Sequence, residues 1–388
     1  MLPEGWRKKS FGDVVYIANG LVDPREASFK NTKHIGPENV ISDTGRIVNE
    51  RTCGDLKLIS GKYEFDKHSI VYSKIRPNLN KVCTPSYSGV CSADMYVLHP
   101  RKGIDKNFLF FSILGDTFKT RAISMSMRTG MPKINREDLS SIPILLPPLP
   151  EQKKIAAILS TWDRAIEGTE KLLANSQQQK KALMQQLLTG KKRLPGFTGE
   201  WKVRKFQDLF QERVETERTD LPLLSVTAND GVIFQEDSGR KDISKEDKSK
   251  YKRIYVDDIG YNTMRMWQGR SCLSDKEGIV SPAYTIVFAK KDICTRFASY
   301  LFKFPPMIHV FYRHSQGLVS DTWNLKFKHF KEISWKLPPL PEQKAIAAVL
   351  STADEEITAI ESDLSRLRQE KKALMQQLLT GKRRVKVD

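Results

Sequence analysis

The sequence LPPLPEQK occupies Leu146–Lys153 and returns unchanged at Leu337–Lys344. The sequence KKALMQQLLTGK at Lys180–Lys191 likewise returns at Lys371–Lys382. Both pairs lie 191 residues apart, so the segment that they bracket is repeated without a gap. A gapless repeat at this separation indicates a duplicated structural unit.

The segments in front of the two copies differ from each other, although their starts correspond. The matched residues are Trp6 with Phe11-Gly12-Asp13, and Trp201 with Phe206-Gln207-Asp208. At 388 residues the chain also exceeds what one hydrophobic core usually supports. We therefore predict two variable globular domains, 1–145 and 196–336, each followed by a constant region with a long helix, 146–195 and 337–388. The constant regions are typical of a scaffold and the variable domains of recognition.

Each constant region is predicted to form one long helix. Pro147, Pro148 and Pro150 place its start at Glu151, and Thr189-Gly190 place its end. A helix of about 38 residues is roughly 57 Å long. Apolar residues recur in both copies at steps of three and four, which is a heptad pattern. The predicted seam residues are Leu159, Trp162, Ile166, Leu173, Leu183, Leu187, Leu350, Ile357, Ile360, Leu364, Leu367, Leu374 and Leu378.

Two arrangements of these helices are open: each could pack on its own domain, or the two could pair. Their length favours pairing, and an antiparallel pair avoids returning the chain along the whole helix. We therefore predict an α+β protein in which two mixed α/β domains are joined and separated by an antiparallel coiled coil with pseudo-twofold symmetry. Lys180 and Lys371 fall at equivalent seam positions, where they either fix the register or extend their ammonium groups to solvent.

The charge of the chain points to a polyanionic partner. The formal net charge is +18 and the pI is about 9.5, which favours nucleic acid over a membrane surface. The first residues carry no apolar signal segment, and no stretch approaches the roughly 20 apolar residues of a membrane span. The five cysteines include no CxxC pair, which favours free thiols over disulfides or zinc. We expect a soluble, cytoplasmic protein without a metal.

Each variable domain contains two clusters of hydrogen-bond donors. Residues 70–81 read as a strand that runs into a turn, and residues 128–135 form the second cluster. In the other domain the clusters are residues 260–270, read as a strand with alternating faces, and residues 315–324. Lys and Arg contact phosphate or guanine and Asn pairs with adenine, although a solvated loop has a similar composition. The candidate DNA-binding residues are Ser73, Lys74, Arg76, Asn78, Asn80, Lys81, Arg128, Thr129, Lys133, Asn135, Asn262, Arg265, Gln268, Arg270, Gln316, Thr322 and Asn324.

The sequence contains no recognisable catalytic motif. Ser281-Pro282-Ala283-Tyr284 comes nearest to the catalytic box of an adenine methylase, but it lacks the second proline and an upstream glycine loop, so we read it as the entry to a strand. There is no phosphate-binding GxxxxGK[ST] loop, and the six histidines show no metal-binding spacing. The chain therefore reads as a binding subunit and not as an enzyme.

The repeated LPPLPEQK and KKALMQQLLTGK sequences resemble the conserved regions of specificity subunits of type I restriction-modification enzymes. The order of variable domain and conserved helix, occurring twice, is also that of this family, and the likeness spans the whole chain. The runs at Tyr72–Leu98 and Tyr261–Tyr284 resemble its target recognition domains.

The resemblance implies that each variable domain recognises one half of a bipartite, asymmetric site in double-stranded DNA, with the helix pair as a ruler for the gap. It further implies two methyltransferase subunits, which flip an adenine and methylate its N6 with S-adenosylmethionine. Two restriction subunits, which use ATP and Mg²⁺, complete the implied assembly. None of these cofactors is expected in this chain.

Two other functions are compatible with the residues alone. One is a coiled-coil adaptor whose basic domains bind nucleic acid without sequence preference, and such a protein would show only salt-dependent binding. The other is an enzyme with an unrecognised active site, which would require turnover by the isolated chain. The target sequence itself does not follow from these residues.

Overall fold

The computed structural model describes residues 2–126, 132–227, 231–239 and 247–387. The chain forms two compact units. Unit 1 comprises Met1–Glu170 and Ser362–Asp388, and unit 2 comprises Lys171–Glu361. Each unit therefore combines one variable segment with one half of each long helix.

Unit 1 is a mixed α/β structure with two four-stranded sheets. Its strands are β1 Arg7–Ser10, β2 Val15–Ile17, β3 Lys33–Ile35, β4 Arg51–Thr52, β5 Lys62–Phe65, β6 Ile70–Ser73, β7 Val82–Cys83, β8 Gly89–Ser92, β9 Met95–Pro100 and β10 Pro143–Leu146. Its helices are α1 Phe11–Val14, α2 Cys53–Leu56, α3 Lys106–Leu114, α4 Asp116–Ser126, α5 Arg136–Ser141 and the first part of α6 Leu149–Leu187. One sheet has the order β2-β9-β6-β7 and the other the order β4-β3-β8-β5. Strand β1 pairs antiparallel with β10, directly before α6.

The main core of unit 1 lies between the first sheet and helices α3 and α4. Phe118 of α4 packs against Phe11 and Tyr72, with ring centroids 5.0 and 6.1 Å away. Helix α3 begins where the Asp105 carboxylate accepts a hydrogen bond from the Phe108 amide, at 2.9 Å. A smaller cluster of buried residues joins the two sheets and includes Val71 of β6 and Cys91 of β8.

Unit 2 repeats the first four-stranded sheet of unit 1, whereas its other described strands form two-stranded sheets. Its strands are β11 Lys202–Lys205, β12 Phe210–Arg213, β13 Leu224–Val226, β14 Val232–Phe234, β15 Lys252–Ile254, β16 Ile259–Asn262, β17 Ser271–Leu273, β18 Gly278–Val280, β19 Tyr284–Ala289 and β20 Ser334–Leu337. Its helices are α7 Phe206–Leu209, α8 Thr295–Lys303, α9 Pro305–His314, α10 Phe327–Phe330 and the first part of α11 Leu340–Leu379. The sheet β12-β19-β16-β17 corresponds in order to β2-β9-β6-β7. Strands β11 and β20 pair as β1 and β10 do.

The two long helices begin slightly earlier than predicted. Helix α6 starts at Leu149 and α11 at Leu340, so Pro150 and Pro341 lie inside the first turn. Proline is tolerated there because the first amides of a helix have no acceptor within the helix. The predicted start at Glu151 is therefore wrong by two residues.

Within each unit the helix segments run antiparallel. In unit 1, Lys371 forms a salt bridge with Asp163, and Arg368 forms one with Glu170, so residue numbers rise along α6 as they fall along α11. In unit 2, Lys180 of α6 pairs with Asp354 of α11. The antiparallel pairing predicted from the chain connection is confirmed in both units. Lys180 and Lys371 form ion pairs with the facing helix, so their ammonium groups do not simply extend to solvent. Their role in fixing the register stays a prediction.

The predicted seam residues lie on the less exposed side of each helix. All thirteen are buried or half-buried, whereas Leu172, one position away from the seam, is 53% exposed. The fully or nearly buried ones are Leu159, Leu187, Leu350, Leu364 and Leu378.

A cluster of one tryptophan, one glutamate and one arginine occurs in both units, and we call it the Trp-Glu-Arg cluster. In unit 1 the buried Glu151 accepts hydrogen bonds from Trp6 Nε1 at 3.1 Å and from Arg384 Nη2 at 2.9 Å. In unit 2 the buried Glu342 accepts them from Trp201 Nε1 at 3.2 Å and from Arg193 Nη2 at 2.7 Å. These bonds tie the start of a variable segment to the N-terminus of one helix and to the residues that follow the other.

The neighbouring glutamines explain more of the repeated sequence. Gln152 Oε1 accepts a hydrogen bond from the Asp105 amide and its Nε2 donates to the Pro147 carbonyl, both at 2.9 Å. Gln343 makes the same two bonds, with the Cys294 amide and the Pro338 carbonyl. The repeated PEQ sequence thus supplies a buried carboxylate and a buried amide that fix each helix start to its own unit.

Candidate DNA interface

In unit 1 the structure brings the two predicted donor clusters together. Strand β6 ends at Ser73, and the following Lys74 receives a hydrogen bond on its carbonyl from the Ile134 amide, at 2.9 Å. The Lys74 amide donates to the Asp94 carbonyl at 3.0 Å, and the Arg76 amide donates to Pro132 at 2.7 Å. The strand and turn predicted for residues 70–81 are confirmed, since a 3₁₀ helix spans Pro77–Leu79.

Some candidates of unit 1 present their side chains to solvent. Arg76, Asn78 and Lys133 are exposed. Lys74 is half-buried, and burial together with the charge of Lys133 lowers the pKa of its ammonium group. Arg76 adopts a φ of 48°, which is uncommon for a residue with a side chain and marks a backbone held by its surroundings. Arg76 and Lys133, together with the neutral Asn78, form the exposed surface of the turn, and the half-buried Lys74 adds a third basic group.

Other candidates of unit 1 use their polar groups within the fold. Ser73 is buried and its Oγ donates to the Ile75 carbonyl. Asn80 is buried and its Nδ2 donates to Asp43 and to the Leu114 carbonyl, both at 2.9 Å. Lys81 Nζ donates to the Pro37 carbonyl. The exposed Asn135 caps α5, because its side chain accepts a hydrogen bond from the Asp138 amide. Arg128 and Thr129 lie outside the described residues.

Unit 2 has the same pattern of backbone hydrogen bonds at the turn that follows β16. The Thr263 amide donates to the Ala283 carbonyl at 3.0 Å, as Lys74 does to Asp94. The Leu325 amide donates to the Thr263 carbonyl at 2.8 Å, as Ile134 does to Lys74. Different side chains are therefore mounted on equivalent hydrogen-bonded backbones.

The predicted strand faces over residues 260–270 are wrong. Strand β16 ends at Asn262, and a 3₁₀ helix covers Met266–Gln268. The chain turns because Gly269 adopts a φ of 74° and Met266 is buried, and alternating faces exist only in an extended strand. Arg265, Gln268 and Arg270 are all exposed on this turn. Asn262 is half-buried, and its Oδ1 accepts from the Met264 amide.

The loop from Gln316 to Asn324 lies beside this turn. Gln316 and Asn324 exchange two backbone hydrogen bonds of 2.8 Å, and Asn324 Nδ2 donates to the carbonyls of Gln316 and Thr322. The Thr322 hydroxyl donates to the Val319 carbonyl and Gln316 Nε2 to the His314 carbonyl. The three sequence candidates on this loop thus serve its own conformation.

An aromatic cluster joins the loop to the turn, and the sequence reading did not foresee it. The Trp323 ring packs edge to face against Trp267 and Tyr312, with centroids 5.1 and 4.9 Å away. The Trp267 Nε1 donates to the Met264 carbonyl at 3.1 Å. The sequence contains a signal for this cluster, because each donor cluster of this domain includes one tryptophan. A tryptophan in a polar loop usually needs a packing partner.

A metal site and a membrane span are not found in the described part of the chain. Groups of three or more His, Cys, Asp or Glu side chains placed to hold a metal ion do not occur there. None of the described helices combines the length and apolar composition that a membrane span requires. Tyr284 begins β19, which confirms the strand entry predicted at Ser281–Tyr284.

Comparisons with known proteins agree with the repeated architecture. A family model described as the type I restriction modification DNA specificity domain matches residues 3–175 and again residues 198–367. The chain belongs to this type I restriction-modification DNA specificity family.

Individual relatives resemble different amounts of the chain. The EcoDI type I restriction enzyme specificity subunit of Escherichia coli is 37% identical over 187 residues, which are 48% of this chain and 41% of that protein. The putative MjaX type I restriction enzyme specificity subunit of Methanocaldococcus jannaschii is 27% identical over 366 residues, covering 88% of this chain and 77% of that one. The match thus spans less than half of the E. coli relative.

Solved structures share the fold. A chain from a structure of a type I restriction-modification system, described in terms of complex assembly and conformational transition, has a TM-score of 0.62 at 17% identity and covers 98% of this chain and 99% of its own. The HsdS subunit of Thermoanaerobacter tengcongensis has a TM-score of 0.53 at 18% identity, with 98% of each chain covered. These likenesses show the two-domain specificity-subunit fold.

Proposed function

We propose that this chain is the non-catalytic specificity subunit of a type I restriction-modification system and recognises a bipartite, asymmetric site in double-stranded DNA. The observation that carries the proposal is the equivalent backbone frame around Lys74 in unit 1 and Thr263 in unit 2, which mounts different exposed side chains. Two domains that share this backbone arrangement but carry different exposed side chains would recognise two different half-sites.

The exposed side chains suit direct recognition of base edges. Arg76 and Asn78 in unit 1, and Arg265, Gln268 and Arg270 in unit 2, are exposed on their turns. Arginine pairs with guanine, and asparagine or glutamine with adenine, through two hydrogen bonds in the major groove. Lys133 and Lys74 are suited to phosphate contacts, which position the protein without carrying sequence information. The net charge of +18 supplies the attraction to DNA.

The chemistry of the system would belong to partner subunits in the cytoplasm. Two methyltransferase subunits would bind S-adenosylmethionine and methylate adenine N6, and two restriction subunits would use ATP and Mg²⁺. The helix segments and the Trp-Glu-Arg clusters would form the shared scaffold on which these partners assemble.

The test is co-expression with the methyltransferase subunit of the same system, followed by mapping of N6-methyladenine across the host genome. We expect one bipartite motif with a fixed gap. A stable complex that methylates no defined motif would contradict the proposal and favour binding without sequence preference. Binding measured against specific and unrelated duplexes over a range of salt separates these outcomes, because a protein without sequence preference binds both duplexes alike at every salt concentration.

A further inference from the structure

The apex of the loop from Gln316 to Asn324 in unit 2 presents two apolar side chains to water. Leu318 is 100% exposed and Val319 is 58% exposed. Met264 and Tyr312, which contact the aromatic cluster at the base of the loop, are also exposed, at 48 and 42%. An apolar patch of this kind on a folded surface usually marks a contact site, whereas single exposed apolar residues do not.

The loop holds these side chains in a defined place. Gly317 has a φ of 142°, and a Cβ at this position would lie 2.7 Å from the backbone of Thr322, so the turn requires glycine. The hydrogen bonds of Gln316, Thr322 and Asn324 close the loop, and Trp323 anchors it to Trp267 and Tyr312. The side chains of Gln316, Thr322 and Asn324 bond within the loop, whereas Leu318 and Val319 point to solvent.

The surroundings of the apex suit a polyanion. Arg265, Arg313 and Lys326 are exposed on the segments that flank the aromatic cluster, and within the described residues they form no salt bridge. Asp321 is the acidic residue of the loop itself. An apolar apex surrounded by cations is complementary to the major groove of DNA, where the thymine C5-methyl group is the apolar feature among polar base edges and phosphates.

We propose that Leu318 and Val319 contact the C5-methyl group of a thymine in the half-site that unit 2 reads. This inference rests on the proposed function, and it adds a recognition mode for this unit that hydrogen-bond donors do not provide. It requires at least one T·A pair in that half-site. It also assigns specificity to residues that differ from the polar candidates on the same loop.

Deoxyuridine provides the test, because it differs from thymidine by loss of that methyl group alone. The full chain in complex with its methyltransferase subunit would be bound to unmethylated duplexes of the mapped motif, with each thymine replaced in turn. We expect one or two replacements, all within one half-site, to weaken binding by about three- to ten-fold. Leu318→Ala should weaken binding to the thymine duplex by a similar factor and abolish the difference between the two duplexes. If Leu318→Ala binds the thymine and uracil duplexes equally, whereas the wild type prefers thymine, the leucine and the methyl group are in direct contact.

Val256→Ala is the matched control, since Val256 is an apolar residue of the same unit that is 54% exposed and lies outside the loop. It should leave binding and the thymine preference unchanged. A Leu318→Ala variant that weakens both duplexes equally would overturn the proposal and indicate a wedge between base pairs or a backbone contact. An unchanged affinity, or two half-sites without T·A pairs, would also overturn it. If the wild-type complex binds the motif but no thymine replacement weakens binding, this inference fails alone, whereas equal binding to the motif and to an unrelated duplex would contradict the proposed function itself.

Discussion

Glu342 shows how much one repeated residue contributes to a unit. Its carboxylate is completely buried and is neutralised by Arg193, with Trp201 as a further donor. Removal of one partner from a buried ion pair leaves an uncompensated charge, which typically costs about 3–5 kcal/mol. We therefore expect Arg193→Ala to lower the free energy of unfolding of unit 2 by about 3 kcal/mol in urea titrations.

Arg366→Ala is the control for this change. Arg366 bridges to Asp363 on the surface of α11, and both side chains are about 60% exposed, so little stability should be lost. Equal effects of the two substitutions would contradict a special role of the Trp-Glu-Arg cluster. Replacement of both Arg193 and Glu342 by neutral residues should cost less than Arg193→Ala, since no buried charge remains.

Arg76 and Asn80 separate DNA contact from folding within a single turn. Arg76 is exposed, so Arg76→Ala should reduce specific binding and relax one position of a half-site by about 1–3 kcal/mol without changing the melting temperature. Asn80 is buried and hydrogen-bonded to Asp43 and Leu114, so Asn80→Ala should destabilise unit 1 by about 1–3 kcal/mol. Methylation mapping and thermal unfolding of both variants make the comparison.

The reverse pattern would show that the two residues exchange roles. As a further control, Arg265→Ala should relax the other half-site and leave the one altered by Arg76→Ala intact. A single variant that altered both half-sites would be incompatible with one reader per unit.

Sequence composition indicates candidate DNA-binding segments but not which side chains in them reach solvent. Arg76 and Asn80 are four positions apart in the same turn, and the backbone directs one to solvent and the other to the Leu114 carbonyl. Such directions depend on contacts with residues far along the chain, and local propensity does not contain them. Leu318 is not among the candidates, because the sequence prediction rests on hydrogen-bond donors and the exposure of an apolar residue does not follow from composition.

At the scale of elements, the pairs Lys371–Asp163 and Lys180–Asp354 link α11 to α6 in the two units. The Lys371 side chain is 10% exposed, so Lys371→Glu would place two carboxylates together with little solvent screening. We expect this change to destabilise unit 1 by about 2–4 kcal/mol, and the added change Asp163→Lys to restore most of the loss. Thermal unfolding of the single and double variants measures both effects.

Lys181→Glu reverses an exposed charge on α6 and controls for net charge. It should change stability by less than about 0.5 kcal/mol. Failure of Asp163→Lys to rescue Lys371→Glu would argue that the lysine stabilises the helices through its contact with the Phe111 ring, 5.5 Å away, and not through the ion pair.

The long helices were predictable because their signals are local and repeated. Three prolines, a heptad pattern and a Thr-Gly end define α6 to within two residues. The 3₁₀ turn at Met266–Gln268 was missed, because the apolar Met266 fits the alternation of a strand equally well. Its burial depends on packing within unit 2, which no local pattern specifies.

At the scale of the whole molecule, the proposed ruler makes a prediction about gap length. Glu170 and Glu361 are equivalent positions of the repeat, so a heptad inserted after each of them should preserve the antiparallel pairing within each unit. Seven helical residues add about 10.5 Å, which corresponds to roughly three base pairs. We expect methylation mapping to show the parental half-sites with a gap about three base pairs longer.

A heptad inserted into one helix alone is the control. It would disturb the pairing of Lys371 with Asp163 or of Lys180 with Asp354, and methylation should fall at every site. If the double insertion kept the parental gap, the helices would not determine the spacing.

The Trp-Glu-Arg cluster of unit 1 has a consequence for synthesis of the chain. Unit 2 is one continuous segment, whereas unit 1 needs Arg384, which lies 233 residues beyond its partner Glu151. Most of unit 1 is therefore synthesised before unit 2, but unit 1 is completed some seconds after unit 2, at about 5–20 residues per second. In a chain truncated after Glu361, unit 2 should resist limited proteolysis, whereas the residues before it should be cleaved. Unit 1 would thus stay incomplete in the growing polypeptide until residues 362–388 have been synthesised.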